Sequence, residues 1–134
     1  MRRLALLIGL ALIATMALVP AAGAAEKTEL QGKWSGTLEP TEGSLAKPEE
    51  LTVKVNRAET KGTWSSSPGC HGKLVLQSIS NGYHHFERIA APGVGAGCNA
   101  GGVDCLMRDG EQVFDIYASP GGTEDVSGLF TRKR

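Results

Sequence analysis

The chain has 134 residues, and its 14 basic and 14 acidic side chains cancel at pH 7. This length suits one small domain with a modest core. The charge balance argues against nucleic acid and anionic membranes as partners, because both are bound through a concentrated basic patch. The basic run Arg132–Arg134 is predicted to be a solvated tail after the last strand.

Residues 1–24 have the organisation of a secretory signal peptide. A basic start precedes an apolar run over Leu4–Val19, which is shorter than the roughly 20 residues of a transmembrane helix. Small residues follow, and cleavage is predicted after Ala24 or Ala25. The first cysteine is Cys70, so no lipid anchor is expected at the cut. The protein is therefore predicted to be exported, either secreted or periplasmic in a bacterium, and slightly acidic once the signal is removed.

Short runs of alternating apolar and polar residues dominate the rest of the chain, and this period of two is that of β-strands. Asn81-Gly82 is the strongest hairpin signal, because a type I′ turn needs positive φ at both central positions. Asp109-Gly110 is a second hairpin dipeptide. The eight predicted strands are Trp34–Leu38, Leu51–Val55, Lys61–Ser66, Lys73–Ser80, Tyr83–Ile89, Val103–Arg108, Gln112–Ser119 and Val126–Arg132.

Residues 25–134 are thus predicted to form a single all-β domain. Consecutive strands joined mostly by tight turns give an eight-stranded antiparallel up-and-down meander. Closure into a small barrel is favoured because it removes the exposed strand edges, and a two-sheet β-sandwich is the alternative. The segment Glu39–Glu50 is predicted to be a long loop with room for one helical turn.

The first predicted strand carries a family resemblance. LQGKWSGTL, Leu30–Leu38, resembles the G-x-W opening of calycin barrels such as lipocalins and avidins. The resemblance implies that Trp34 closes the barrel base and that Arg132 packs across its ring, a contact of about 0.5 to 2 kcal/mol. The alternative makes Trp34 ordinary core and Arg132 a surface charge. Biotin binding is not expected, because avidin-type capture resembles a box of several tryptophans and this chain adds only Trp64.

The stretch GVGAGCNAGGVDC, Gly93–Cys105, has the glycine content of a phosphate-binding loop. A phosphate loop also needs a lysine and a hydroxyl after its last glycine, and a dinucleotide fingerprint needs a following helix. Neither condition is met. The glycines are predicted to serve a long connection across the barrel rim, where positive φ is needed.

No metal site and no cofactor are predicted. The cysteines and histidines lack C-x-x-C and H-x-x-x-H spacing. His84 and His85 are neighbours on one strand, so their side chains point to opposite faces and cannot share an ion. Alternation places His84 with Phe86 on one face, and one of the two histidines is expected to face the barrel interior.

Three cysteines in an exported protein predict one disulfide and one remaining thiol. Cys70 and Cys98 each lie in a glycine-flanked turn, whereas Cys105 shares an apolar strand face with Val103 and Met107. We therefore expect Cys70 to pair with Cys98, which contributes about 3 to 4 kcal/mol. Cys105 is then expected to be a buried hydrophobe. Pairing of Cys98 with Cys105 is the alternative.

A second resemblance covers more of the chain. The elements GCHGKLVL, FERI, the glycine stretch and GLFTR resemble small extracytoplasmic domains of actinobacterial and related secreted proteins and receptor-type kinases. This resemblance also implies that Cys70 and Cys98 pair. The chain departs from the pattern because it has a third cysteine and no attached kinase, so no signalling role is implied.

No catalytic constellation is predicted, and the protein is expected not to be an enzyme. The sequence has no nucleophile elbow, and Ser65–Ser67 precede a proline with no histidine nearby. Glu87 and Asp115 fall within strands, where an inward carboxylate would recognise a ligand or act as an acid. Burial statistics favour both as outward, solvated charges.

These observations predict a non-enzymatic, monomeric binding protein whose partner is an unknown small molecule or an extracytoplasmic protein. A protein partner would bind at the loop rim, on Gly93–Gly102 and its Asn99. The alternative is a periplasmic enzyme inhibitor or interaction protein with a filled barrel, similar to the small barrels that inhibit lysozymes. A small ligand inside the barrel would instead be lined by His84, Phe86, Phe114 and Tyr117.

Overall fold

The computed structural model describes residues 30–67 and 69–134. The predicted export signal and its cleavage site lie outside the described residues. Among the residues described, no helix is long and apolar enough to cross a membrane. The strands are β1 Gly32–Pro40, β2 Glu49–Val55, β3 Lys61–Ser66, β4 Cys70–Ser80, β5 Tyr83–Ala90, β6 Val103–Asp109, β7 Gln112–Ala118 and β8 Val126–Arg132.

The eight strands form one closed barrel in which each strand pairs antiparallel with the next along the chain. Closure occurs where β8 pairs with β1, with Trp34 opposite Arg132 and Pro40 opposite Val126. The all-β, up-and-down barrel predicted from the sequence is confirmed, and the sandwich alternative is not adopted. The strands follow an up-and-down order because each short alternating run is followed by a connection that returns the chain antiparallel. The pairing of β8 with β1 then closes the sheet.

The predicted strand order is confirmed, with shifts at several strand ends. The predicted loop Glu39–Glu50 is shorter in the structure, because β1 continues to Pro40 and β2 begins at Glu49. Residues 41–48 contain a turn at 42–43 but no helical segment. A 3-10 turn lies instead at Pro120–Gly122, between β7 and β8.

Tight turns set the register of the hairpins. Asn81 and Gly82 have φ of 51° and 81°, which are the two positive values that the type I′ prediction requires. The turn between β6 and β7 differs slightly from the predicted dipeptide, because Asp109 pairs with Gln112 and the central residues are Gly110 and Glu111. Gly110 alone has positive φ, as a type II′ turn needs.

Alternate residues of every strand point into the barrel, and large side chains fill it. Trp34 and Trp64 are both buried, and aromatic rings also enter from β5, β7 and β8. Burying one such side chain contributes about 1.5 to 3 kcal/mol. The buried apolar residues of the core are Leu30, Trp34, Leu38, Leu51, Val53, Val55, Trp64, Leu74, Phe86, Leu106, Val113, Tyr117, Val126 and Phe130.

The up-and-down order gives the barrel two different ends. At one end, which we call the loop end, lie the connection between β3 and β4 and the longer segments 41–48, 91–102 and 119–125. At the other, the turn end, lie the short turns 56–60, 81–82 and 110–111 together with the residues before β1 and after β8. The loop end therefore holds the long connections, which are the segments that most often carry binding sites.

Candidate functional site at the loop end

A cleft of about 510 Å³ opens at the loop end, and we call it the mouth cleft. All four loop-end connections contribute to its wall. Leu45 on its rim is 81 % exposed, which is unusual for so large an apolar side chain. Residues that line it include Leu45, Lys47, Glu49, Ser67, Asn99 and Glu124.

The Cys70–Cys98 disulfide fastens one side of the mouth cleft, and this pairing is the one predicted. The two Cα atoms are 5.6 Å apart, a usual separation for a disulfide. The bridge joins the first residue of β4 to the segment 91–102. In chain-entropy terms it contributes about 3 to 4 kcal/mol. The glycine-rich segment is therefore fixed to the barrel wall at this point.

Hydrogen bonds join the loops to one another around the rim. The Leu45 backbone N–H donates to the Thr123 carbonyl at 2.8 Å, which ties the first loop to the last. The Asn99 side chain donates from Nδ2 to the Glu124 carbonyl at 3.1 Å. The predicted contact residue Asn99 thus lies half-buried at the cleft, where it links two loops.

One glycine of the 91–102 segment is required by packing. A Cβ on Gly102 would lie 2.1 Å from the Ala118 carbonyl oxygen and 2.9 Å from the Tyr117 hydroxyl oxygen. The Gly102 N–H instead donates to that hydroxyl at 3.1 Å. The end of the segment therefore rests directly on the inward side chain of β7.

Beneath the mouth cleft lies a buried arginine that the sequence analysis did not identify. Arg88 of β5 is 0 % exposed. It donates to both Asp104 carboxylate oxygens, from Nε at 2.7 Å and from Nη2 at 2.6 Å. Its Nη1 donates to Glu49 at 2.9 Å and to the Asn99 carbonyl at 3.0 Å. This buried charge cluster connects β2, β5 and β6 with the rim segment 91–102.

Aromatic rings complete the surroundings of Arg88. Its guanidinium carbon lies 3.9 Å from the Tyr117 ring centroid and 5.2 Å from that of Trp64. Such contacts are strongest when the cation is desolvated, as it is here. Burial alone would lower the pKa of Arg88, but Asp104 and Glu49 raise it, so the guanidinium stays charged.

Asp115 of β7 is the least satisfied member of this cluster. It is 0 % exposed, and neither of its carboxylate oxygens receives a hydrogen bond from a described donor. Complete burial, and then the charge of Asp104, raise the pKa of Asp115 well above its usual range, with Arg88 opposing them. Held protonated, Asp115 can donate a hydrogen bond to Asp104. Its predicted outward orientation is wrong, whereas Glu87 does lie on the outer face.

Glu49 connects the cluster to the mouth cleft, since it both lines the cleft and accepts from Arg88. Burial raises the pKa of Glu49, while Arg88 acts in the opposite direction. With Asp115 protonated, the cluster carries two carboxylates against one guanidinium. The floor of the mouth cleft is therefore held by ion pairs.

Strand alternation placed three of the four predicted lumen residues correctly. His84, Phe86 and Tyr117 are buried and inward. Phe114 was wrong, because it lies half-buried on the outer face of β7, three positions from Tyr117 and therefore on the other side of the strand. His84 lies near the turn end, 3.6 Å from Glu59, and burial lowers the pKa of its imidazole.

Cys105 is not the buried core residue that was predicted. It keeps its free thiol, half-buried on the outer face of β6, where it lies 3.3 Å from His85 Nδ1. The interior positions of β6 belong to Asp104 and Leu106. Burial raises the pKa of Cys105 to about 11. Such a thiol is a weak nucleophile at neutral pH.

At the turn end, two arginines lie against the ring of Trp34. The guanidinium carbon of Arg132 is 4.3 Å from the centroid of its ring, and that of Arg108 is 5.1 Å away. The indole N–H donates to the Leu30 carbonyl at 2.9 Å. Arg132 belongs to β8, so it is not part of a solvated tail.

Sequence reasoning missed Arg88, Asp104 and Glu49, although a signal for them exists. Arg88 is two residues from Phe86 and therefore has the inward parity of its strand. An arginine and an aspartate with inward parity on neighbouring strands predict a buried ion pair.

Across residues 30–67 and 69–134, no group of three or more His, Cys, Asp or Glu side chains is arranged to hold a metal ion. Comparison with known proteins finds no match for the chain among family models, curated proteins or solved structures.

Proposed function

We propose that this protein is an exported, non-enzymatic binding protein that recognises an extracytoplasmic protein with the rim of the mouth cleft. The observation that carries the proposal is the cleft itself, a concave surface of about 510 Å³ to which all four loop-end connections contribute. Concave sites placed on ordered loops are where folds of this kind carry recognition.

The rim is ordered before any partner arrives. The disulfide and the Leu45 and Asn99 hydrogen bonds fix the segments to the barrel and to one another. A preorganised surface loses less conformational entropy on binding, which favours affinity. An exposed apolar residue, Leu45, stands at its edge as a contact for a partner.

The filled interior favours a protein partner over a small ligand carried in the lumen. The bodies of Trp34, Trp64, Phe86 and Phe130 occupy the barrel, and the buried charge cluster occupies the space beneath the cleft. This interior suits the calycin-like barrel of inhibitor or interaction type, monomeric and without cofactor, better than the carrier type. Export is part of the proposal, since the Cys70–Cys98 disulfide suits an oxidising compartment.

Site-specific photo-crosslinking in the native export compartment tests the proposal. A photoreactive amino acid at Leu45 should give a discrete protein adduct. The matched control is Ile79, an apolar residue of β4 that is 59 % exposed near the turn end, where the same probe should give none. Native mass spectrometry of the purified protein supplies the second readout. Equal crosslinking at both positions, or a stoichiometric small-molecule adduct without a rim crosslink, would overturn the proposal.

A further inference from the structure

A second cleft lies at the opposite end of the barrel, and three arginines line it. Its volume is about 590 Å³. It lies beside Trp34, and we call it the arginine cleft. The lining residues are Arg108, Glu111, Gln112, Thr131, Arg132 and Arg134.

The position of Arg132 is set by two contacts and by the space that Gly32 leaves. Its guanidinium stacks on Trp34, and its Nη1 donates to the Gln31 carbonyl at 3.1 Å. Gly32 makes room for it, since a Cβ there would lie 2.6 Å from Nη1 and Gly32 has φ of 120°. A residue without a side chain therefore stands where the guanidinium passes.

The chain after β8 is also held in place. The Lys133 N–H donates to the Lys33 carbonyl at 2.8 Å, which extends the pairing of β8 with β1 by one residue. Arg134 is therefore kept next to the arginine cleft. The basic run that the sequence suggested as a tail becomes part of a concave surface.

Stacking leaves an arginine able to bind anions. Contact with an indole uses the face of the guanidinium, whereas its N–H groups point outward in the plane and match two oxygens of a phosphate or carboxylate. The in-plane N–H groups of Arg88 already donate hydrogen bonds to Asp104, Glu49 and the Asn99 carbonyl. No carboxylate pairs with Arg132 in the described ion pairs.

We propose that the arginine cleft is a binding site for a ligand that carries a phosphate group. The side chains that line it carry three guanidinium groups and one carboxylate, that of Glu111. Gln112 and Thr131 add neutral hydrogen-bonding groups to the wall. The site is separate from the mouth cleft, and this proposal does not depend on the function proposed for that end.

Titration of the intact mature protein with inorganic phosphate and with pyrophosphate tests the site, followed by NMR shifts of the Gln112 and Thr131 amides. Ionic strength is held constant with chloride, because screening alone moves the shifts of charged surfaces. We expect saturable shifts confined to the arginine cleft, with pyrophosphate binding more tightly. Shifts that do not saturate, or that chloride reproduces, overturn the proposal.

Two variants separate binding from folding. Arg134→Gln lies beyond β8 and should weaken pyrophosphate binding about fivefold while the melting temperature is unchanged. Glu111→Gln removes the opposing carboxylate and should tighten binding about twofold, a gain that structural damage would not produce. The matched control is Lys54→Gln, an exposed cation of β2 that does not line the cleft, which should leave the affinity within about twofold. Equal effects of the Arg134 and Lys54 variants contradict the site.

The phosphate group has two sources that the same protein can distinguish. Cosedimentation with vesicles of phosphatidylglycerol should depend on Arg134 if the ligand is a lipid headgroup. If pyrophosphate binds and the vesicles do not, the ligand is a free phosphate compound. If neither binds, the proposal is wrong.

Discussion

At each end of the barrel an arginine lies against a tryptophan, but one arginine is buried and the other is exposed. At the loop end, Arg88 lies 5.2 Å from the Trp64 ring centroid and is sealed from solvent. At the turn end, Arg132 lies 4.3 Å from that of Trp34 and is exposed. The two contacts have similar geometry, but their surroundings differ.

That difference shows how burial decides what a charged contact does. A buried guanidinium must find acceptors for its N–H groups inside the protein, and Arg88 finds them in Asp104, Glu49 and the Asn99 carbonyl. An exposed guanidinium is hydrated, so Arg132 gains little from its contacts and remains able to bind a ligand. The loop-end arginine is therefore assigned to structure and the turn-end arginine to binding.

The largest effect is expected from Arg88→Leu. Removing the guanidinium leaves the buried Asp104 and the partly buried Glu49 without their cation, and breaking such a buried pair costs about 3 to 5 kcal/mol. Urea denaturation measures the loss, and the rim segment 91–102 should become more exposed to amide hydrogen exchange. Arg132→Leu is the matched control at the other end. If the two substitutions cost the same, the distinction between the two ends is wrong.

A smaller effect of opposite sign is expected from Asp115→Asn. An amide is neutral and can donate to Asp104 as the protonated carboxyl does. At pH 8 the variant should therefore be more stable than the native chain, because only the native folded state must hold a proton that the unfolded chain has released. Each unit by which the folded pKa of Asp115 exceeds the unfolded one corresponds to about 1.4 kcal/mol. Urea denaturation between pH 4 and pH 9 measures the difference.

The sign of this pH dependence follows from the raised pKa of Asp115. The folded state holds that proton more tightly than the unfolded chain. Its contribution to stability is full below the unfolded pKa of about 4 and is lost as pH rises through the folded value. The variant should remove this loss, so its advantage should grow with pH. An advantage that is constant with pH, or absent, would show that Asp115 is not held protonated.

The smallest effect on stability is expected from Arg132→Gln. An exposed cation over an aromatic ring contributes about 0.5 to 1 kcal/mol, and its loss should change the tryptophan fluorescence without opening the barrel. Denaturant titration followed by that fluorescence measures both quantities. A loss as large as that of Arg88→Leu would mean that Arg132 closes the barrel base and has no separate binding role.

The strands and their inward faces could be predicted because apolar and polar residues alternate with a period of two. The short turns between these runs gave the strand order. His84, Phe86 and Arg88 lie two positions apart along β5, so all three point inward. The positive φ values of Asn81 and Gly82 set the register of the hairpin between β4 and β5. The same parity rule, applied to β7, excludes Phe114 once Tyr117 is inward. Phe114 is aromatic like the inward residues, but its position in the strand has the opposite parity.

The charge cluster and the mouth cleft were harder to predict, for different reasons. Inward carboxylates are rare, so burial statistics placed Asp115 outside. It is tolerated inside because it is held protonated beside Asp104, whose own charge is paired with Arg88. The mouth cleft joins Leu45, Asn99 and Glu124, which are far apart in the sequence. Their meeting depends on barrel closure and on backbone hydrogen bonds between loops, which alternation does not encode.

Closure of the sheet also limits how a partner can be recognised. Every strand is hydrogen-bonded to a neighbour on both sides, so the described barrel offers no strand edge to an incoming peptide. Recognition by addition of a β-strand, which is tolerant of sequence because it reads the backbone, is thereby closed to this domain. Contacts must be made by side chains and loop carbonyls instead. A partner is therefore selected by shape and charge, and the same closure keeps two copies from joining edge to edge.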